Sequence, residues 1–459
     1  MNKFIGDKAF YKKVLMVAIP VMIQNGITNF VGLLDNIMVG QVGTEQMSGV
    51  AIVNQLMIVY NLCIFGIVSG ASIFGTQFFG KSNYAGMRNT FRFKIITCTI
   101  MSAIGILILY GFRTELISLY LHEGGTAGDI TIALVEAKKY LSIIIICMVP
   151  FAFSQAYSST LREMGKTVVP MVAGSIAVFV NMILNYILIF GKFGAPMLGV
   201  EGAAIATVFS KFLECGIIMI QVHSHELENK FIKGAYRSFV IPRQLVKQLL
   251  LKGAPLMINE ALWASGMAII MQCYSIRGLE VVAGMNISST ISNMFNVVSI
   301  ALGSAVAVLV GQLLGANKME EAKDTAIKLI FFAVVSCIVM GIVMAIMAPL
   351  FPRIYKTSDE VKYLATRFII IVALCMPLTA FTNASYFTIR SGGKTIITFL
   401  FDSVFVWTVC IPLAYCLTKF SGLNIIVVYL ICQLAESIKC IIGYILVKKG
   451  VWLENIVVE

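Results

Sequence analysis

Charge is scarce in this chain. Asp, Glu, Lys and Arg make up 13% of its 459 residues and apolar residues 59%, whereas a soluble domain carries about 25% charged residues. The mean hydropathy is +0.89. So little charge cannot cover a folded surface in water, and lipid is the expected solvent. Histidine is scarcer still. The three histidines, His122, His223 and His225, fall in expected loops, too few for a proton relay. There is no HExxH and no GxxxxGK[ST] stretch, so neither zinc hydrolysis nor ATP turnover has its motif. An enzyme is not expected, and energy for any uphill work must come from an ion gradient. The eleven cysteines form no CxxC pair and lie in apolar runs, as at Cys63, Cys147, Cys273 and Cys440. They read as small buried hydrophobes, not as disulfides or zinc ligands. No resident cofactor is implied.

What is abundant is long apolar runs. A spanning helix needs about 20 apolar residues. Windows of that length give twelve segments, near 14–39, 47–76, 93–112, 134–160, 168–190, 199–222, 253–274, 285–314, 326–350, 363–389, 395–418 and 424–447. The polar N-terminus, Met1 to Lys13, runs straight into the first span and carries no cleavable signal pattern.

The formal net charge is +12, which in a soluble protein would suggest nucleic acid. Its distribution argues otherwise. The N-terminus and the loops at Lys81–Lys94, Arg162–Lys166, Lys230–Lys252, Lys318–Lys328, Arg390–Lys394 and Lys448–Lys449 all fall on one side of the twelve spans and hold most of the Lys and Arg. By the positive-inside rule that side is cytoplasmic, with both termini inside. The basic excess is a topology signal, with no role for nucleic acid.

The chain repeats itself. AIPVMIQNGI at 18–27 aligns with GAPLMINEAL at 253–262, and the same shift pairs Gly43 with Gly278, Glu45 with Glu280, Asn61 with Asn296, Gln77 with Gln312 and Gly80 with Gly315. LREMGKT at 161–167 matches IRSGGKT at 389–395. Each half then holds six spans in the same orientation, a parallel repeat with its substrate site expected between the halves. The expected organisation is an N-lobe (1–222), a cytoplasmic loop (223–252) and a C-lobe (253–459).

Ionisable residues inside spans are costly and mark pathways. In span one, Gln24, Thr28 and Asp35 lie within about 40° of one another on a helix. In span seven, Glu260 shares a face with Met267, Met271 and Tyr274, with Trp263 about 60° away. Carboxylate, aromatic and thioether groups together suit a large organic cation, although the same stripe also suits helix packing. Asp402 sits near the start of span eleven. Asn286 and Asn293 line one face of span eight, as cavity or as glue between helices. Lys211 with Glu214, and Glu436 with Lys439, are three apart and read as self-neutralising pairs. Pro20, Pro150, Pro255, Pro377 and Pro412 fall within spans as possible kinks.

PVMIQNGITNFVGLLDNIMVGQVGTEQMSGVA, GVEGAAIAT at 199–207 and GQLLGA at 311–316, in this order and spacing, resemble the multidrug and toxin extrusion (MATE) family over essentially the whole chain. The resemblance implies an all-α fold of two six-helix lobes forming a V around a central cavity. It also implies export of organic cations or amphipathic drugs in exchange for Na⁺ or H⁺, in the cell membrane and as a monomer in contact with lipid. Asp35, Asn181, Asn185 and Thr207 match the family's N-lobe cation site, where Na⁺ could bind. Some members carry Asp at the position of Asn185, so this chain keeps one formal charge there. Glu260 matches a C-lobe carboxylate of one branch. That branch's span-ten acid is missing, and Asp402 is the nearest substitute. Two other readings stay open: a lipid or lipid-linked oligosaccharide flippase, and a non-transporting sensor or scaffold.

Overall fold

The computed structural model describes residues 4–120 and 127–457; Lys3 and His122 lie outside the described residues. Every regular element among the described residues is helical. In chain order these are α1 (Lys8–Gly40), α2 (Thr44–Gly80), α3 (Tyr84–Gly111), α4 (Ala127–Ile144), α5 (Met148–Glu163), α6 (Val168–Phe190), α7 (Gly199–Ser224), α8 (Arg243–Ser275), α9 (Leu279–Gly315), α10 (Met319–Met347), α11 (Asp359–Ser391), α12 (Thr395–Phe420) and α13 (Ile425–Lys449). One short helix, Arg113–Ser118, follows α3. Eleven of these helices are each long and apolar enough to cross a bilayer. The remaining span is shared by α4 and α5, joined by the 3₁₀ turn Ile145–Cys147.

Helix is forced by the solvent. Hydrocarbon offers backbone N–H and C=O groups no partner, so a spanning segment must satisfy them internally. Side chains such as Leu107, Ile220, Ile346, Leu374 and Ile441 stand more than half exposed on the helix surfaces, as a lipid-facing surface allows and a water-facing one does not. The chain is a multi-pass, all-α membrane protein.

Proline acts unequally. Proline removes a hydrogen bond and crowds the carbonyl four residues back. Pro150 follows the 3₁₀ turn, and Pro412 follows two π turns, Leu400–Val404 and Val406–Cys410. Pro20, Pro255 and Pro377 sit inside continuous α-helix. Polar caps close two other ends. Ser358 Oγ accepts from Val361 N–H at 3.3 Å, and Asn424 Oδ1 accepts from Ile426 N–H at 2.9 Å, each satisfying a donor the helix leaves open.

The chain divides into two compact units. One comprises residues 23–75 and 84–247, the other residues 1–22, 76–83 and 248–459. The first 22 residues go with the second unit because Val14, Val17, Ala18 and Val21 of α1 share a buried cluster with Ala301, Ala305, Leu329 and Trp452. In the first unit a separate cluster joins Val53, Ile64, Cys98, Leu141, Met148 and Ala204.

The stretch from His223 to Lys252, expected as a polar, basic cytoplasmic loop, is more ordered than its composition suggests. α7 runs to Ser224 and α8 starts at Arg243. Between them Phe231, Ile232 and Ala235 are buried. Phe231 packs on Phe91, ring centroids 5.2 Å apart. Arg92 donates to the carbonyls of Ala235 and Gly234, both at 2.8 Å. Lys166 pairs with Glu228 at 3.0 Å, which holds that exposed carboxyl below the usual glutamate range.

Candidate cation sites

In the first unit three helices converge on one carboxylate. α6 carries Asn181 and Asn185 one turn apart, both buried, and α1 brings Asp35 to them. Asn185 Nδ2 donates to Asp35 Oδ1 at 2.8 Å. With its nitrogen turned toward the carboxylate, the Asn181 amide donates to Asp35 Oδ2 at 3.0 Å and accepts from the Thr207 N–H of α7 at 3.2 Å. Turned the other way, it faces Thr207 Oγ1 at 3.3 Å. Thr207 Oγ1 itself donates to the Ala203 carbonyl at 3.0 Å. The structure thus brings together Asp35, Asn181, Asn185 and Thr207, which come from three separate helices.

Tyr140 of α4 borders this cluster too, buried, within hydrogen-bond reach of Thr207 and electrostatic reach of Asp35. Sequence reasoning missed it because one tyrosine in an apolar run looks like packing. The cluster offers a carboxylate, two amides and a hydroxyl, oxygen donors that suit a hard monovalent cation. Among the described residues Asn185 Oδ1 is buried and finds no hydrogen-bond partner, a cost of about 1–3 kcal/mol that a bound cation would relieve. These residues fit such an ion.

The rest of the span-one stripe behaves differently. Gln24 Oε1 accepts from Arg162 Nη2 at 2.9 Å, and Thr28 Oγ1 returns to the Gln24 carbonyl at 2.8 Å. Neither is among the hydrogen-bond partners found for Asp35. Arg162, counted above as a loop charge, sits in the last turn of α5. Nearby, Lys94 and Glu163 form a buried ion pair, with side chains 0% and 3% exposed. Ser159 Oγ and Thr160 Oγ1 accept from Lys94 Nζ at 3.0 and 3.1 Å. A Cβ at Gly75 would collide with the Glu163 carboxylate.

The second unit holds a denser charge cluster. Asp402 lies in the first π turn of α12. Its Oδ2 accepts from Asn259 Nδ2 at 3.2 Å and its Oδ1 from Lys439 Nζ at 3.2 Å. Lys439 also pairs with Glu436 at 3.4 Å, so the span-twelve pair reaches beyond itself to Asp402. Glu260 lies within electrostatic reach of Arg390 and Asp402. Arg390, read as a loop residue, is buried in the last turn of α11, the span in which an acid was missing.

The remaining predicted residues divide. Trp263 and Met267 of α8 are exposed, 41% and 44%, as are Asn286 and Asn293 of α9. Met271 is half-buried. Tyr274, expected on the same face as Glu260, is instead 2% exposed and packs against Tyr429 at 5.6 Å in a core cluster with Phe368 and Cys273. Fourteen residues of α8 separate it from Glu260, roughly 21 Å of helix rise, so a shared face does not mean a shared site.

A duplicated helical bundle that spans the membrane and holds a half-buried carboxylate among amides belongs to the class of membrane transporters. The profile of the MatE family matches the chain twice, over residues 20–187 and 255–416, once in each half. The chain belongs to the MatE family. It is 24% identical over 416 residues to the probable multidrug resistance protein NorM of Thermotoga maritima, covering 90% of this chain and 87% of that one. It is also 24% identical over 421 residues to the multidrug resistance protein MdtK of Proteus mirabilis, covering 91% and 89%. Its fold matches a crystal structure of the Vibrio cholerae MATE transporter VcmN with a TM-score of 0.86 at 17% identity, covering 97% of this chain and 98% of that one.

Proposed function

We propose that this protein is a secondary antiporter that exports small organic cations or amphipathic drugs in exchange for Na⁺ or H⁺. Asp35, Asn181, Asn185 and Thr207 take up the coupling cation, and residues 1–222 and 253–459 act as the two lobes of an alternating-access cycle. The protein works as a monomer in the cell membrane with both termini in the cytoplasm. The observation that carries the reading is the Asn185–Asp35 hydrogen bond at 2.8 Å, beside the buried Asn185 amide oxygen that finds no partner among the described residues. Relatives named as multidrug resistance proteins support the cargo class.

Coupling needs only that ion and cargo favour different conformations. A ligand shifts such an equilibrium by its differential affinity for the two states, and moving it from 1:99 to 99:1 takes about 5.5 kcal/mol. Cargo and ion therefore need not share a residue. Ethidium efflux from vesicles, with Na⁺ and H⁺ gradients imposed separately, tests the reading. Wild type should move the dye under one gradient and Asp35→Asn under neither. If neither gradient moves the dye while a fluorescent lipid-linked sugar is flipped, the flippase reading takes its place.

A further inference from the structure

The two units carry related charged pairs in opposite order. Lys211 and Glu214 of α7 align with Glu436 and Lys439 of α13, with Cys215 opposite Cys440. In the first unit Lys211 is held by Glu214 at 3.0 Å, and Asp35 meets neutral amides. In the second unit the reversal puts the lysine one turn further along. Its Nζ then stands 3.2 Å from Asp402 Oδ1 and 3.4 Å from Glu436 Oε2, and 5.5 Å from the centroid of the Phe405 ring. The Lys439 side chain is only 7% exposed.

The other side of Asp402 is closed as well. Asn259 Oδ1 accepts from Ser403 Oγ at 2.7 Å and from Ser403 N–H at 3.3 Å. Those bonds fix the amide so that its NH₂ faces Asp402 Oδ2. Both carboxylate oxygens thus meet donors, and the carbonyl oxygen that could have served a cation is engaged elsewhere. Of the charged groups around it, Glu436 shares Lys439, and Glu260 lies within reach of Arg390.

We propose that Lys439 is a tethered cation that fills the Asp402–Glu436 carboxylate site of the second unit, so that these two carboxylates take up no soluble cation and play no part in coupling. The coupling half of this statement rests on the antiporter reading; the occupancy of Asp402 by Lys439 does not. Removing one member of a buried ion pair leaves its partner charge uncompensated. Without Lys439 the carboxylates of Asp402 and Glu436 form an acidic hole open to a small cation.

The test is Na⁺-dependent thermal stabilisation of the full-length protein in detergent at pH 8, with choline chloride as control. It is run in an Asp35→Asn background that removes the first site. Asp35→Asn alone should show no saturable response. Adding Lys439→Gln should create one, Lys439→Arg should not, and further addition of Asp402→Asn should abolish it. A response in Asp35→Asn that Asp402→Asn removes overturns the proposal, as does a folded Lys439→Gln that gains nothing. Should Lys439→Gln not fold, Asp402→Asn in the otherwise unchanged protein decides. The ion concentration for half-maximal efflux should stay within twofold, and a tenfold rise overturns the proposal. Loss of all ion-driven efflux in wild type, with the Lys439→Gln gain intact, would sink the antiporter reading and leave the lysine assignment standing.

Discussion

Gly80 of α2 and Gly315 of α9 each rest on the backbone beside the other's duplicated glutamine: a Cβ on Gly80 would fall into the main chain of Gln312, and one on Gly315 into that of Gln77. The four residues are two pairs of the internal repeat. All lie in the second unit, where the crossing is clamped from outside. Gln77 Nε2 donates to the Ser391 and Glu454 carbonyls at 2.9 and 3.2 Å, and Ile456 N–H donates to Gln77 Oε1 at 2.9 Å. Small residues let helix backbones approach in a membrane, where packing is the main force between them. Gly80→Ala and Gly315→Ala should each destabilise the protein by about 1–3 kcal/mol through overpacking. Gly216→Ala, which meets nothing within 4 Å, should be neutral or slightly stabilising. Thermal unfolding in detergent, followed by the reactivity of buried cysteines, compares the three.

At the first cation site, Asn185→Ala removes a hydrogen bond to a charged group worth about 1.5–3 kcal/mol. It also removes the unpaired oxygen offered to the ion. The coupling ion should bind about ten- to a hundredfold more weakly, since 1.4 kcal/mol is tenfold. Efflux should persist at high ion concentration, unlike in Asp35→Asn. An ion-concentration dependence indistinguishable from wild type would remove Asn185 from the site.

The buried Lys94–Glu163 pair should show strong non-additivity. Lys94→Met or Glu163→Leu alone strands a charge and should cost about 3–5 kcal/mol, whereas replacing a buried pair together is often nearly neutral. The double variant should therefore recover most of the stability lost by either single one. Equal, additive losses in a double-mutant cycle would mean that the two side chains are not coupled.

The segment between α7 and α8 should behave as a docked element. Phe231→Ala removes a fully buried ring, a change of about 3–5 kcal/mol in a protein core, felt here as local opening. Trypsin should then cleave at Lys230 or Lys233 well before the rest of the molecule unfolds, while wild type resists. The Lys166–Glu228 pair sets the pH limit. A carboxyl held below its ordinary range contributes stability above that range and loses it as pH falls through the lowered value. The anchor should be insensitive to pH near neutrality and should loosen only in acid.

Much of this molecule was legible in its residues. Hydropathy alone dictates helices, because a bilayer accepts no other unclosed spanning backbone, and their number and the duplication follow from spacing. Asp35, Asn181, Asn185 and Thr207 were readable as a set from the resemblance, and α1, α6 and α7 do meet around them. Residue partners across the bundle were not readable. Arg162 and Arg390 looked like loop charges because they stand beside glycine and lysine, yet one bonds Gln24 and the other is buried near Glu260. Lys439 looked self-neutralised by Glu436, since helical spacing shows only neighbours on the same helix; that it also reaches Asp402, 37 residues away, depends on how α12 and α13 pack. Periodicity tells which face of a helix is polar. Which side chain of another helix that face meets, and at what depth, is set by packing and register between helices, and only the tertiary structure decided it.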